Sequence, residues 1–118
     1  MQRIYCYAKI HGATVTEANL QYVGSVTIDK MLLDEAGIFP YEKVQIVNLY
    51  NGSRIETYVM AGEPGSGTIC MNGAAARWAA AGDKVLIIAY GLYDPQEAKQ
   101  LKPKIVFVDE KNKVCTAV

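Results

Sequence analysis

Glu42-Lys43-Val44-Gln45-Ile46-Val47-Asn48-Leu49-Tyr50, then Asn51-Gly52, then Ser53-Arg54-Ile55-Glu56-Thr57-Tyr58-Val59-Met60-Ala61, reads as two β-rich runs joined by a hairpin signal. Asn-Gly is the strongest short-range signal of this kind, because a type I′ turn needs positive φ at both central residues. Along the second run Arg54, Glu56, Tyr58 and Met60 face one way and Ile55, Thr57 and Val59 the other, so Arg54 and Tyr58 can reach one site together. Upstream, residues 3–11 alternate, with Ile4, Cys6, Ala8 and Ile10 on one face and Lys9 and His11 on the opposite one. Residues 26–28 predict a brief strand. Asp29 then caps a short helix through Ala36, which Gly37 closes before Pro40. Downstream, Gly62-Glu63-Pro64-Gly65-Ser66-Gly67 predicts a turn, residues 68–71 a strand and residues 74–81 a short alanine-rich helix closed by Gly82. Residues 84–90 form a further strand, Asp94-Pro95-Gln96-Glu97 opens a capped helix, residues 104–108 are a last strand, and residues 111–118 a loose polar tail. Many short strands with few helices predict one mainly β domain, a compact β-barrel.

The 118 residues suffice for one domain with its own core, and 51% of them are apolar. Lys and Arg number 12, as do Asp and Glu, which gives no electrostatic footprint for nucleic acid and no polybasic membrane patch. The longest nearly unbroken apolar run, residues 85–93, is far short of the ~20 that span a bilayer. The first residues run straight into a strand pattern without a signal-peptide core, so a cytoplasmic location is expected. The 3 cysteines, Cys6, Cys70 and Cys115, are scattered and odd in number, which predicts reduced thiols rather than a disulfide framework or a metal motif.

Tyr22-Val23-Gly24-Ser25-Val26 places a hydroxyl directly after a glycine, which tolerates strained backbone and lets that hydroxyl address the preceding carbonyl. Alone, Gly-Ser is a turn dipeptide. Together with Lys9-Ile10-His11, Asn51-Gly52-Ser53-Arg54-Ile55-Glu56-Thr57-Tyr58 and Asn72-Gly73-Ala74-Ala75-Ala76, the chain resembles the pyruvoyl-dependent aspartate 1-decarboxylase family, from about residue 3 to about residue 108. The resemblance implies a double-psi β-barrel with a few short helices, and a homotetramer with active sites at subunit interfaces. It implies self-cleavage between Gly24 and Ser25 into a small chain, 1–24, and a large chain, 25–118, whose first residue becomes a covalent pyruvoyl group. No pyridoxal phosphate and no metal are expected, because a terminal ketone itself supplies the electron sink. The implied reaction converts L-aspartate through a Schiff base to β-alanine and CO2, for pantothenate and coenzyme A synthesis.

In that family the residue matching Ser25 attacks the carbonyl of the residue matching Gly24, with Thr57 and Asn72 matching residues implicated in processing. Arg54 can grip a carboxylate through its planar fork of donors, with Lys9 as a second cation. Tyr58 matches the proposed proton donor, phenols being protonated at neutral pH. His11, Tyr22, Gly73 and the backbone of Ala74, Ala75 and Ala76 match pocket positions; small side chains there keep the N–H groups approachable. Three residues depart from the expected pattern: Gly12 and Pro64 where arginine is expected, and the large Trp78. Residue by residue, other readings stay open: the same chemistry on glutamate, or a non-enzymatic β-barrel binding module with Gly24-Ser25 as a plain turn.

Overall fold

The computed structural model describes residues 1–116. In chain order the elements are β1 (Arg3–Thr14), β2 (Glu17–Asn19), β3 (Ser25–Asp29), α1 (Lys30–Ala36), β4 (Lys43–Asn48), β5 (Arg54–Gly62), β6 (Ile69–Asn72), a 3₁₀ helix (Gly73–Arg77), β7 (Lys84–Tyr93), α2 (Pro95–Gln100), β8 (Lys104–Val108) and β9 (Val114–Cys115). Strands whose alternate side chains are apolar must cover that face, and here they do so jointly. Among the described residues the strands form one sheet of nine, ordered β2-β6-β3-β5-β4-β7-β1-β8-β9, and Ile10, Val26, Ile28, Val44, Ile46, Val59, Ile69 and Ile87 share a buried core. Leu32, Leu33 and Ala36 of α1 plug into it. The mainly β architecture with few short helices agrees with the sequence reading; among the described residues the ladder runs from β2 to β9 without a pairing that closes it.

Three parallel pairings, β1 with β8, β2 with β6 and β3 with β5, interleave segments far apart in sequence. The consequence for the site is that β3 lies between β5 and β6, so the strand that begins at Ser25 meets both the hairpin and the Asn-Gly-Ala segment.

Both predicted caps are present. Asp29 accepts from Met31 N at 2.8 Å and Gly37 closes α1 at φ 76°, while Asp94 and Glu97 form a reciprocal capping box with Pro95 in the first turn of α2. The Asp29 carboxylate also accepts from Gly65 N and Gly67 N, both at 2.9 Å. These N–H groups belong to the segment after β5. There Pro64 and Gly65 (φ +80°) occupy the central positions of a type II turn closed from Ser66 N to Glu63 O at 3.1 Å, so proline is the residue this turn favours.

Several expectations are corrected. The hairpin is not closed by a type I′ turn: only Gly52 is left-handed, at φ 74°. A longer loop bonds Asn48 N to Ser53 O and Gly52 N to Asn48 O, both at 2.9 Å, and the buried Asn48 carboxamide accepts from Tyr50 N at 2.8 Å. The helix expected over 74–81 is only the 3₁₀ helix Gly73–Arg77, because the Trp78 carbonyl is taken by Asn48 Nδ2 at 3.1 Å and Asn51 Nδ2 at 3.0 Å rather than by a helical N–H. Gly82 donates to Val15 O at 2.8 Å and caps no helix. Alternation along β1 breaks at a bulge between Cys6 and Ala8, which leaves Ile4 exposed. A second irregularity falls at Gly12, whose φ of 81° suits glycine and would strain an arginine. The tail is not loose through residue 115: Asn112 is buried and bonds Thr14 and Gly67, and β9 pairs with β8. Residues 117–118 of that expected tail lie outside the described residues.

Candidate active site

Ser25 opens β3 directly opposite Asn72, the last residue of β6, and both are buried. The Asn72 carboxamide donates both N–H bonds inward, from Nδ2 to Ser25 Oγ at 2.9 Å and to Thr27 Oγ1 at 2.9 Å. Ser25 is thereby held by a donor, so its oxygen is favoured as it gains negative charge. Immediately beyond, Gly73 adopts φ +63° with its Cα facing the loop before β3; a Cβ there would lie 2.8 Å from Gly24 Cα, 2.8 Å from Gly24 N and 2.9 Å from Tyr22 O. Only glycine lets these two backbones meet. The conformational freedom assigned from sequence to Gly24 is used instead at Gly73, since Gly24 is not left-handed and a Cβ on it would find only Asn72 O, at 3.9 Å.

Gly24 lines a cleft of about 370 Å³ with Ile55, Thr57 and Tyr58 of β5, Ala74 and Ala75 of the 3₁₀ helix, and Trp78. Parallel pairing of β3 with β5 explains the juxtaposition, because Val26 lies beside Val59 and the residues preceding each come together. Ala74 is exposed on the cleft, while Asn72 makes no side-chain cap bond to this helix, its accepting Oδ1 facing Cys70 Sγ at 3.1 Å instead. Tyr58 is 36% exposed and stacks on Tyr41 with ring centroids 6.4 Å apart and an interplanar angle of 18°, which restrains the ring.

Glu56 borders the same cleft and pairs with Lys43 at 3.2 Å; that hydrogen bond, with a further one from Gln45, holds its carboxyl below the usual carboxylate range. Arg54 is exposed on the same strand, where Nη1 donates to Gln45 Oε1 at 2.9 Å, an oxygen that also accepts from Tyr90 at 2.9 Å. The guanidinium is thus braced by a neutral amide and keeps its charge for an anion.

The structure therefore gathers Gly24, Ser25, Thr57, Tyr58, Asn72, Gly73, Ala74 and Ala75 around one place. Arg54 opens β5, the strand that lines the cleft, but is not itself a lining residue, its guanidinium being bonded to Gln45 of β4; Tyr22 approaches Gly73 through its carbonyl, and Ala76 sits within the 3₁₀ helix outside the lining. Lys9 and His11 are not brought there within one chain: β1 is separated from β5 by β7 and β4, and the His11 ring packs 5.5 Å from that of Phe107. Sequence reasoning missed Ile55 and Glu56 as cleft residues, although the hairpin contains both, and took Trp78 only as a packing oddity. It also missed Cys70 and Glu17 behind Asn72; these pair across the parallel β2–β6 register, which no local pattern announces.

Comparison with known proteins agrees with this arrangement. A family model described as "Aspartate decarboxylase" matches residues 1–115. Similar proteins include the aspartate 1-decarboxylase of Carboxydothermus hydrogenoformans, 65% identical over 106 residues that cover 90% of this chain and 84% of the relative. That of Thermoanaerobacter pseudethanolicus is 58% identical over 113 residues, covering 96% and 97%. That of Listeria monocytogenes is 59% identical over 114 residues, covering 97% and 90%. With the family match spanning nearly the whole length, and the buried serine, its amide partner and the cleft all inside the matched residues, the chain belongs to the aspartate decarboxylase family.

Proposed function

We propose that this chain is a self-processing cytoplasmic enzyme that converts L-aspartate to β-alanine and CO2, the β-alanine feeding pantothenate and coenzyme A synthesis. The observation that carries the reading is Ser25: a buried hydroxyl held at 2.9 Å by Asn72, directly after a glycine that borders an open cleft.

Processing begins when Ser25 Oγ adds to the Gly24 carbonyl carbon. The Gly24–Ser25 C–N bond breaks, the acyl group passes from nitrogen to oxygen, and Asn72 stabilises the oxygen through its N–H. Loss of the Ser25 α-proton then expels Gly24 as a carboxylate and leaves a dehydroalanine end, which takes up water and releases ammonia. Thr57, on the cleft wall beside Gly24, is the neighbouring hydroxyl on this path.

The surroundings fit a pyruvoyl group built from Ser25: the group needs no space beyond that of its own residue, and the volume a Cβ would fill at Gly73 is already occupied by Gly24. Such a ketone supplies an electron sink for the bond that binds the substrate's α-carboxylate. The chain's own residues then bind, orient and protonate. Arg54, one residue before the cleft-lining Ile55 and outside the lining itself, is the cation assigned to a substrate carboxylate, while Ala74 and Ala75 line the cleft with small side chains and Trp78 borders it. Tyr58, fixed by its stack on Tyr41, delivers a proton to the carbon that loses CO2. In this reading Lys9 and His11, which β4 and β7 separate from β5 within one chain, enter the site from a neighbouring subunit of a homotetramer.

The test is turnover of L-aspartate against L-glutamate by wild-type protein and by Ser25→Ala. Wild type is expected to form β-alanine with preference for aspartate, and Ser25→Ala to remain one chain without turnover. Turnover by Ser25→Ala, or none by cleaved wild type, contradicts the proposal.

A further inference from the structure

The serine is oriented by Asn72, and something must orient Asn72. An asparagine side chain has an accepting oxygen and a donating nitrogen of nearly equal size, so a half-turn exchanges them unless the far end is fixed. Ser25 and Thr27 do not fix it, because hydroxyls bond equally well to either end. Behind Asn72 lies Cys70, buried in β6, with Sγ 3.1 Å from Asn72 Oδ1 and 3.2 Å from Glu17 Oε2. Glu17 and Cys70 are register partners across the β2–β6 pairing, so the contact is built into the sheet.

We propose that Cys70 is a positioning residue for scission: its S–H holds the Asn72 carboxamide oxygen, so that the amide nitrogen faces Ser25. The proposal rests on the self-cleavage reading above. The single S–H proton lies within reach of both Asn72 Oδ1 and Glu17 Oε2 and is shared between them as a three-centre bond; burial, then the Glu17 carboxylate through that bond and its charge, pushes the Cys70 thiol up to about 12, which keeps the proton on sulfur at neutral pH. An Asn72 turned the other way presents its oxygen to Ser25 and accepts the hydroxyl proton, so it no longer supplies a donor to the oxygen as charge develops.

Cys70→Ser and Cys70→Ala both shrink the side chain, and only Ser keeps a hydrogen-bond donor. Freshly made precursor of wild type and each variant is incubated and sampled by denaturing intact-mass analysis, with thermal melting measured alongside. Wild type is expected to split between residues 24 and 25, Cys70→Ser to do so within about twofold of that rate, and Cys70→Ala on the order of fivefold more slowly, the loss of one modest hydrogen bond. Should Cys70→Ala not fold, Cys70→Val keeps the bulk without the donor and takes its place. Equal slowing of Ser and Ala variants in step with their melting, or scission by the Ala variant at the wild-type rate, overturns the role of Cys70. Wild type that never splits overturns the self-cleavage reading itself.

Discussion

Gly73→Ala probes the closest backbone approach in the site. The new Cβ would sit 2.8 Å from Gly24 Cα and N and 2.9 Å from Tyr22 O, against an ordinary contact of about 3.4–4 Å, and all three obstacles are backbone atoms that no rotamer change can move. Holding alanine at φ +63° adds about 1–2 kcal/mol, and overpacking of this kind about 1–3 kcal/mol, for a total near 2–5 kcal/mol. The strain is relieved if residues 22–24 shift by several tenths of an ångström, which turns the Gly24 carbonyl carbon away from Ser25 Oγ and slows scission instead of lowering stability. Thermal melting and intact-mass kinetics together capture either route. Gly24→Ala is the matched control for stability, because its Cβ would meet only Asn72 O at 3.9 Å and its φ is not left-handed. We expect Gly73→Ala to melt several degrees lower, to process at least tenfold more slowly, or both, whereas Gly24→Ala melts with the wild type. A Gly73→Ala protein that matches wild type in both measurements refutes the steric argument.

Asp29→Ala removes a helix cap and leaves the N–H groups of Met31, Gly65 and Gly67 without their acceptor, and should destabilise by about 2–4 kcal/mol on denaturant melting. Burial raises this carboxyl, but the N–H bonds from Gly67, Met31 and Gly65 with the nearby Lys113 charge outweigh it and lower its pKa. Its stabilisation is therefore full above the unfolded value of about 3.9 and fades as pH falls below it, a slope that Asp29→Asn should lack when melting is followed from neutrality into acid. Tyr58→Phe keeps the stack on Tyr41 and should process normally yet lose about 10²- to 10³-fold in kcat with little change in KM; an unchanged kcat removes Tyr58 as proton donor. Arg54→Ala should raise KM for aspartate by about 10- to 100-fold without slowing scission, and an unchanged KM means that the carboxylate is held elsewhere.

What could be read from residue order was local. The period-two pattern of β5, the Asp29 and Gly37 caps and the Asp94 capping box each depend on residues a few positions apart, and each is present. Ser25 and Asn72 were legible as chemistry but not as partners, because their meeting depends on β3 entering between β5 and β6, a pairing across 47 residues. The 3₁₀ helix ends early for the same reason: the carboxamide of Asn48, 30 residues upstream, takes the Trp78 carbonyl. Cys70 carried no sequence signal, since β6 is buried on both faces and shows no alternation that would direct its thiol toward Asn72. Lys9 and His11 share a face of β1, as their spacing suggests, yet the sheet order sets that face away from the hairpin.

The most direct measurement is denaturing intact-mass analysis of fully incubated wild-type protein, with and without a carbonyl-reactive hydrazine. The account predicts two pieces that meet between Gly24 and Ser25, the larger gaining one hydrazone. A single uncut chain that takes up no reagent would contradict it.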